Sequence, residues 1–102
     1  MTIWCVVDGK STSFPVDIPA DGTVGHLKDR IKEKKPNDFA DIDADELTLW
    51  KVSLPNTATA DTLTLGSLPD GSTKNKLDAR FLVSNLFPEG QGVNDYIIVK
   101  PP

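Results

Sequence analysis

Few side chains in this 102-residue sequence could do covalent chemistry. There is one cysteine, Cys5, and one histidine, His26. A thiol beside an imidazole is the arrangement that activates a nucleophile, so the pair is the first candidate to weigh. Cys5 lies in an apolar run and points to one side of a strand with Ile3 and Val7. There a thiol behaves as a small hydrophobe. Asp41-x-Asp43-x-Asp45 invites a calcium reading, because alternate acids open an EF-hand loop. Such a loop needs glycine at its sixth position and glutamate at its twelfth. The sequence has Glu46 and Val52 there, so a solvated acidic loop is the better account. Gly66, Gly71, Gly90 and Gly92 have neither the spacing nor the following helix of a phosphate loop. One cysteine forbids an internal disulfide and a multi-cysteine zinc site. The expectation is a non-enzymatic domain, with no catalytic residue, no cofactor and no metal.

The elements that carry these residues are readable from pattern. Met1 to Val7 (MTIWCVV) lacks the basic leader of a signal peptide and is broken by Asp8-Gly9-Lys10, so it reads as a strand. No signal peptide is visible in this chain. Asp8-Gly9 is a hairpin turn pair, and Thr12 to Ile18 forms the return strand. Phe14, Val16 and Ile18 share one face of it, and Pro15 places it at a sheet edge. Thr23 is a helix N-cap candidate, and Val24, Leu27 and Ile31 form one apolar stripe along residues 23–35. Lys32, Lys34 and Lys35 crowd the last turn, and Pro36 stops the helix. Leu47 to Val52 (LTLWKV) is a third strand, and Tyr96 to Val99 the last. Between them runs a long irregular stretch, residues 53–95, with short elements at most, one of them at Leu63–Leu68. Leu77, Phe81, Leu82, Leu86 and Phe87 are its candidate anchors, and residues 88–92 read as a turn.

Length and charge narrow the function. The chain is one domain by size, residues 1–102. Net charge is −4, which argues against a general nucleic-acid binder. No apolar run approaches the ~20 residues that span a bilayer. The helix carries five bases against two acids from His26 to Lys35, and only acids follow through Glu46. A solvated face with pairs such as Asp29–Lys32 or Lys28–Glu33 explains this more simply than a docking surface. The aromatics say more. If Ile3, Cys5, Val7, Leu47 and Leu49 face the helix, Trp4, Val6, Thr48 and Trp50 lie on the outer sheet face. Exposed aromatics on an open sheet read as a binding patch, and Trp4, Thr48 and Trp50, with Lys51 at their edge, are the expected contact residues. The competing reading is that the 53–95 stretch folds back over them.

Hairpin, helix, then two later strands is the order of an α+β, β-grasp (ubiquitin-like) fold, a mixed sheet wrapped on one helix with the last strand parallel to the first. The wording of the sequence goes further. FPVDI, TVGHLKDRIKEKKPNDFADIDADELTLWKV, LPNTATADTL, NLFPEG and YIIVKPP together resemble the N-terminal module of Crinkler effectors, in their fungal form. LTLWKV (Leu47, Thr48, Leu49, Trp50, Lys51, Val52) is similar to the family's LFLAK-type trafficking motif, and YIIVKPP to the HVLVxxP-like end of that N-terminal module. The resemblance implies a ubiquitin-like domain that precedes a variable C-terminal effector domain. It also implies secretion, delivery into the cytoplasm or nucleus of a host cell, and an unidentified protein partner. The alternative expectation is an adaptor or oligomerisation domain inside the producing organism.

Overall fold

The computed structural model describes residues 1–10, 13–54, 65–68, 71–87, 91 and 95–102. β1 (Thr2–Val7) and β2 (Phe14–Asp17) form an antiparallel hairpin. Its turn closes where Asp8-Gly9 predicts, with the Lys10 N–H donating to the Val7 carbonyl at 2.9 Å and Gly9 at φ 84°. Thr12, the expected start of the return strand, lies outside the described residues. So do Leu63 and Thr64 of the expected short element, and residues 88–90 and 92 of the expected turn. After the hairpin come α1 (Val24–Lys34), β3 (Thr48–Ser53), β4 (Thr73–Lys76) and β5 (Asp95–Lys100). Single 3-10 turns sit at Ala44–Glu46, Leu65–Ser67 and Val83–Asn85. The five strands make one mixed sheet in the order β2-β1-β5-β3-β4, with β1 and β5 parallel. This is the β-grasp arrangement, and Pro15 does sit on an edge strand.

The helix forms where its stripe and cap coincide. Thr23 Oγ1 accepts from the His26 N–H at 3.3 Å, and His26 Nδ1 accepts from the Thr23 N–H at 3.2 Å, a reciprocal capping box. Val24 and Gly25 donate their N–H groups to the carbonyls of Phe81 and Ala79. The orphan donors of the first turn are thereby satisfied within the chain. Gly22, just before the cap, is buried, and a Cβ there would lie 2.7 Å from Ile18 Cγ1. Any larger residue there would have to displace the Ile18 side chain where the chain enters the helix. Val24, Leu27 and Ile31 are fully buried and share one cluster with Ile3, Cys5, Leu49 and Ile97. The helix thus lies across the inner face of the sheet. Its ion pair is Arg30–Glu33 at 3.9 Å, on exposed side chains, with the same three-residue spacing as the expected Asp29–Lys32 pair. Such a pair contributes little.

The described parts of the 53–95 stretch hold a strand and two 3-10 turns. β4 reads TKNK, every residue exposed, so it has none of the alternation that marks a strand. It pairs with β3 as an edge. Leu77, Leu86 and Phe87 anchor the segment after it, as expected. Phe81 and Leu82 do not: they are 50 % and 40 % exposed, because their backbone is held against the start of α1 and the buried side chain there is Val83. Asp78 and Arg80 lock the intervening turn; the Arg80 side chain hydrogen-bonds Asp78 and holds its carboxyl below the usual range.

The Gln91 side chain bridges β1 and β5. The β1–β5 ladder starts at Cys5↔Ile97, so the Trp4 N–H lies one residue before its first pair. The Gln91 amide binds there: Oε1 accepts from the Trp4 N–H at 2.6 Å, and Nε2 donates to the carbonyls of Trp4 and Asp95 at 3.0 and 2.9 Å. Gln91→Ala is expected to cost about 1–2 kcal/mol in urea unfolding, the worth of a lost hydrogen-bond clamp. No measurable loss would show that water serves Trp4 equally well.

Candidate interaction surface

The two residues that could make a thiol centre are kept apart. Cys5 is fully buried on the inner sheet face, its Sγ 3.8 Å from the Ile3 carbonyl, and desolvation pushes its thiol far above the ordinary range. His26 is exposed and its Nδ1 is committed to the cap. A thiolate is needed for attack, and Cys5 has neither the charge nor the access. Ellman's reagent is therefore expected to leave Cys5 unlabelled in the folded domain over a time that labels the urea-unfolded chain completely. Labelling of the folded protein at the rate of a free thiol would contradict this. Asp41, Asp43 and Asp45 are all exposed and do not converge. Among the described residues no group of three acidic, histidine or cysteine side chains is placed to hold a metal. None of the described helices is long and apolar enough to cross a membrane.

The outer sheet face divides into two parts. Around Trp50 the competing reading holds. Val6, Val52 and Ile98 are buried there beneath Leu54 and Leu65, with Trp50, Tyr96 and Leu68 packed partly against them. Trp50 is only partly exposed, and its Nε1 is buried without a hydrogen-bond partner among the described residues. Around Trp4 the face is open. Trp4 is 46 % exposed. Pro15 stands opposite it on β2, and the parallel register places Tyr96 beside it on β5. Trp4 and Trp50 are thus separated by a strand and differ in exposure; they do not form one patch.

Thr48 lies at the start of β3, partly exposed, opposite Lys100. Lys51 is placed differently from the expectation. It belongs to the inner face with Leu47 and Leu49, because side chains alternate along a strand. Its Nζ donates to the Leu86 carbonyl at 2.7 Å and lies 5.1 Å from the Phe87 ring centre. It ties β3 to the segment that closes the core, and it is no neighbour of Trp4. Of the six residues Leu47 to Val52, Leu47, Leu49 and Val52 are buried. A partner that meets the folded domain can read Thr48 and part of Trp50 from this word. Reading the sequence alone missed Pro15 as a flank of Trp4. The signal existed in the hairpin register, which the sequence does not fix.

The sequence matches the family model described as the Crinkler effector protein N-terminal domain over residues 1–100. The chain belongs to the Crinkler effector N-terminal domain family. Crinkler effector protein 1 of Rhizophagus irregularis is 36 % identical over the whole of this chain, which covers 22 % of that protein. Crinkler effector protein 108 of Phytophthora sojae is 53 % identical over 47 % of this chain and 6 % of its own length. Crinkler effector protein 16 of Phytophthora infestans is 43 % identical over 54 % of the chain and 9 % of its own. The chain thus spans under a quarter of the length of these Crinkler relatives. No solved structure matches it. The LTLWKV word sits inside the Crinkler match, on β3 and the residue before it, where its apolar letters face two different cores.

Proposed function

We propose that this Crinkler domain is a non-enzymatic N-terminal module that works by protein contact. In this reading it accompanies a C-terminal effector domain out of the producing cell and into the cytoplasm or nucleus of a host cell. The observation that carries it is Trp4, a large aromatic left 46 % exposed on a sheet face that the chain covers elsewhere. Tryptophan is enriched at binding hot spots. Pro15 and Tyr96 add rigid apolar surface on either side. The burial of Cys5 and the use of His26 in a cap support contact over catalysis. Thr48 and Trp50 lie two strands away on β3 and are no part of the Trp4 patch, and Lys51 faces the inner side. The experiment is Trp4→Ala in the folded domain. Stability is expected to fall by about 1 kcal/mol or less, as for a half-exposed side chain. Capture of the host partner and uptake into host cells are expected to weaken at least about tenfold, as when a hot-spot aromatic is truncated. If both are unchanged, the patch is not the interface.

A further inference from the structure

The two edges of the sheet are not alike. On β2 the hydrogen-bonded pairs with β1 include Met1–Ile18, whose N–H and carbonyl groups bond both ways at 2.8 and 2.9 Å. Alternation then turns the backbone of Pro15 and Asp17 to the open edge. Proline has no N–H, so this edge is blunted where an added strand would need a donor. On β4 the Leu77 N–H donates to the Leu49 carbonyl at 2.9 Å. The same alternation pairs Asn75 with Lys51 and turns the N–H and carbonyl groups of Lys74 and Lys76 outward. No proline interrupts it, and among the described residues no strand lies beyond it. The side chains of Lys74 and Lys76 stand on the outer face, with Trp50 and Val52 across from them. Lys100 projects to the same face two strands away, opposite Thr48. Among the described residues neither Lys76 nor Lys100 has a carboxylate partner, in a chain of net charge −4.

We propose that the β4 edge accepts an extended acidic segment of a partner protein as a sixth strand. The backbone of Lys74 and Lys76 supplies paired donors and acceptors, the means by which sheet edges take up peptides. Lys76, with Lys100 behind it on the same face, selects the charge; the Lys74 ammonium is held by the Leu65 carbonyl. Edge lysines also guard against self-association. Here the two roles agree: a second copy pairing β4 with β4 sets lysines against lysines, whereas glutamate or aspartate at alternate positions meets them. The inference shares with the preceding proposal only the premise that the domain works by contact, and it uses a different edge.

The test uses a short capped peptide alternating glutamate with threonine, titrated into the isotope-labelled domain. The largest amide shifts are expected at Lys74, Lys76 and along β3, with slowed exchange of the Lys74 and Lys76 amides. Methylating the peptide nitrogens that face β4 is expected to abolish binding, and methylating the alternate ones to preserve it. Lys76→Gln is expected to weaken binding about two- to fivefold, the range of an exposed ion pair. Lys76→Pro removes an outward donor without breaking a bond to β3 and is expected to abolish it. If Lys76→Pro fails to fold, the methylated peptides carry the test alone. Trp4→Ala is expected to bind the peptide as the parent does, which separates this edge from the Trp4 patch. No shift at millimolar peptide, equal binding by both methylated forms, shifts confined to α1, or preference for a single-stranded oligonucleotide would each overturn the proposal.

Discussion

Phe39→Ala is expected to destabilise the domain by about 3–5 kcal/mol, the range for emptying a buried phenylalanine site. Phe39 is 1 % exposed and belongs to the inner core with the α1 stripe and Leu47. Its neighbours are all polar or small: Asn37, Asp38, Ala40 and Asp41 are exposed. Phe39, with the half-buried Ile42 beside it, therefore fastens the acidic connection between α1 and β3 to the core. Its N–H donates to the Lys35 carbonyl at 3.3 Å and its carbonyl accepts from Ile42 at 3.2 Å, so the anchor also shapes the turn that ends the helix. A domain of this size has about 5–15 kcal/mol in total, so the variant would be close to unfolding. The measurement is a urea transition, with a fall in midpoint at unchanged slope. A loss below about 1 kcal/mol would mean that the segment collapses to refill the site, or that the ring is not buried in solution.

Phe39 also shows where the sequence stops being legible. The α1 stripe recurs at three and four and is bounded by a cap and a proline, so local and tertiary signals agree. The inner face of β1 and β3 follows from alternation in the same way. Phe39 and Ile42 are the two large apolar residues in a polar run, and one spacing of three sets no period. β4 failed for the opposite reason: an edge strand with both faces wet has no need of apolar residues, and TKNK has none. Phe81 and Leu82 were expected inside on hydropathy, but backbone bonds to the helix start fix their segment with those side chains outward.

The contact residues were half legible. Parity along a strand gave the correct face for Trp4, Thr48 and Trp50, and the same parity puts Lys51 on the other. Partners across strands were not available. A ladder running straight on from the Asp8-Gly9 turn would pair Trp4 with Ser13. The observed register sets Trp4 against Pro15, a shift of two residues. A shift of two keeps every side chain on its face while changing every neighbour. Faces were therefore robust and the patch was not. Nor could pattern say that Leu54 and Leu65 would come to rest over Val6 and Ile98, since that is a contact between residues remote in sequence.

That cover has a measurable weight. Leu65→Ala is expected to cost about 2–3 kcal/mol, the lower part of the range for a leucine truncated in a core, because the site lies at the margin and can partly close. Leu65 is held twice by backbone: its N–H donates to Asp8 Oδ1 at 2.8 Å and its carbonyl accepts from Lys74 Nζ at 3.3 Å. Those bonds survive the substitution, so the loss reports side-chain packing. The same Lys74 ammonium lies 5.8 Å from the Trp50 ring centre. Trp50 packs against the cluster that Leu65 closes, so water should reach the indole when the leucine is cut back. In a Trp4→Phe background, where Trp50 is the sole tryptophan, its emission is expected to move to the red on Leu65→Ala while the protein remains folded. An unchanged spectrum with unchanged stability would mean that Leu65 does not cover this face. Trp50 would then stand open on the same face as Trp4, with β5 between them, and the binding surface would extend across β5 to the lysines of β4.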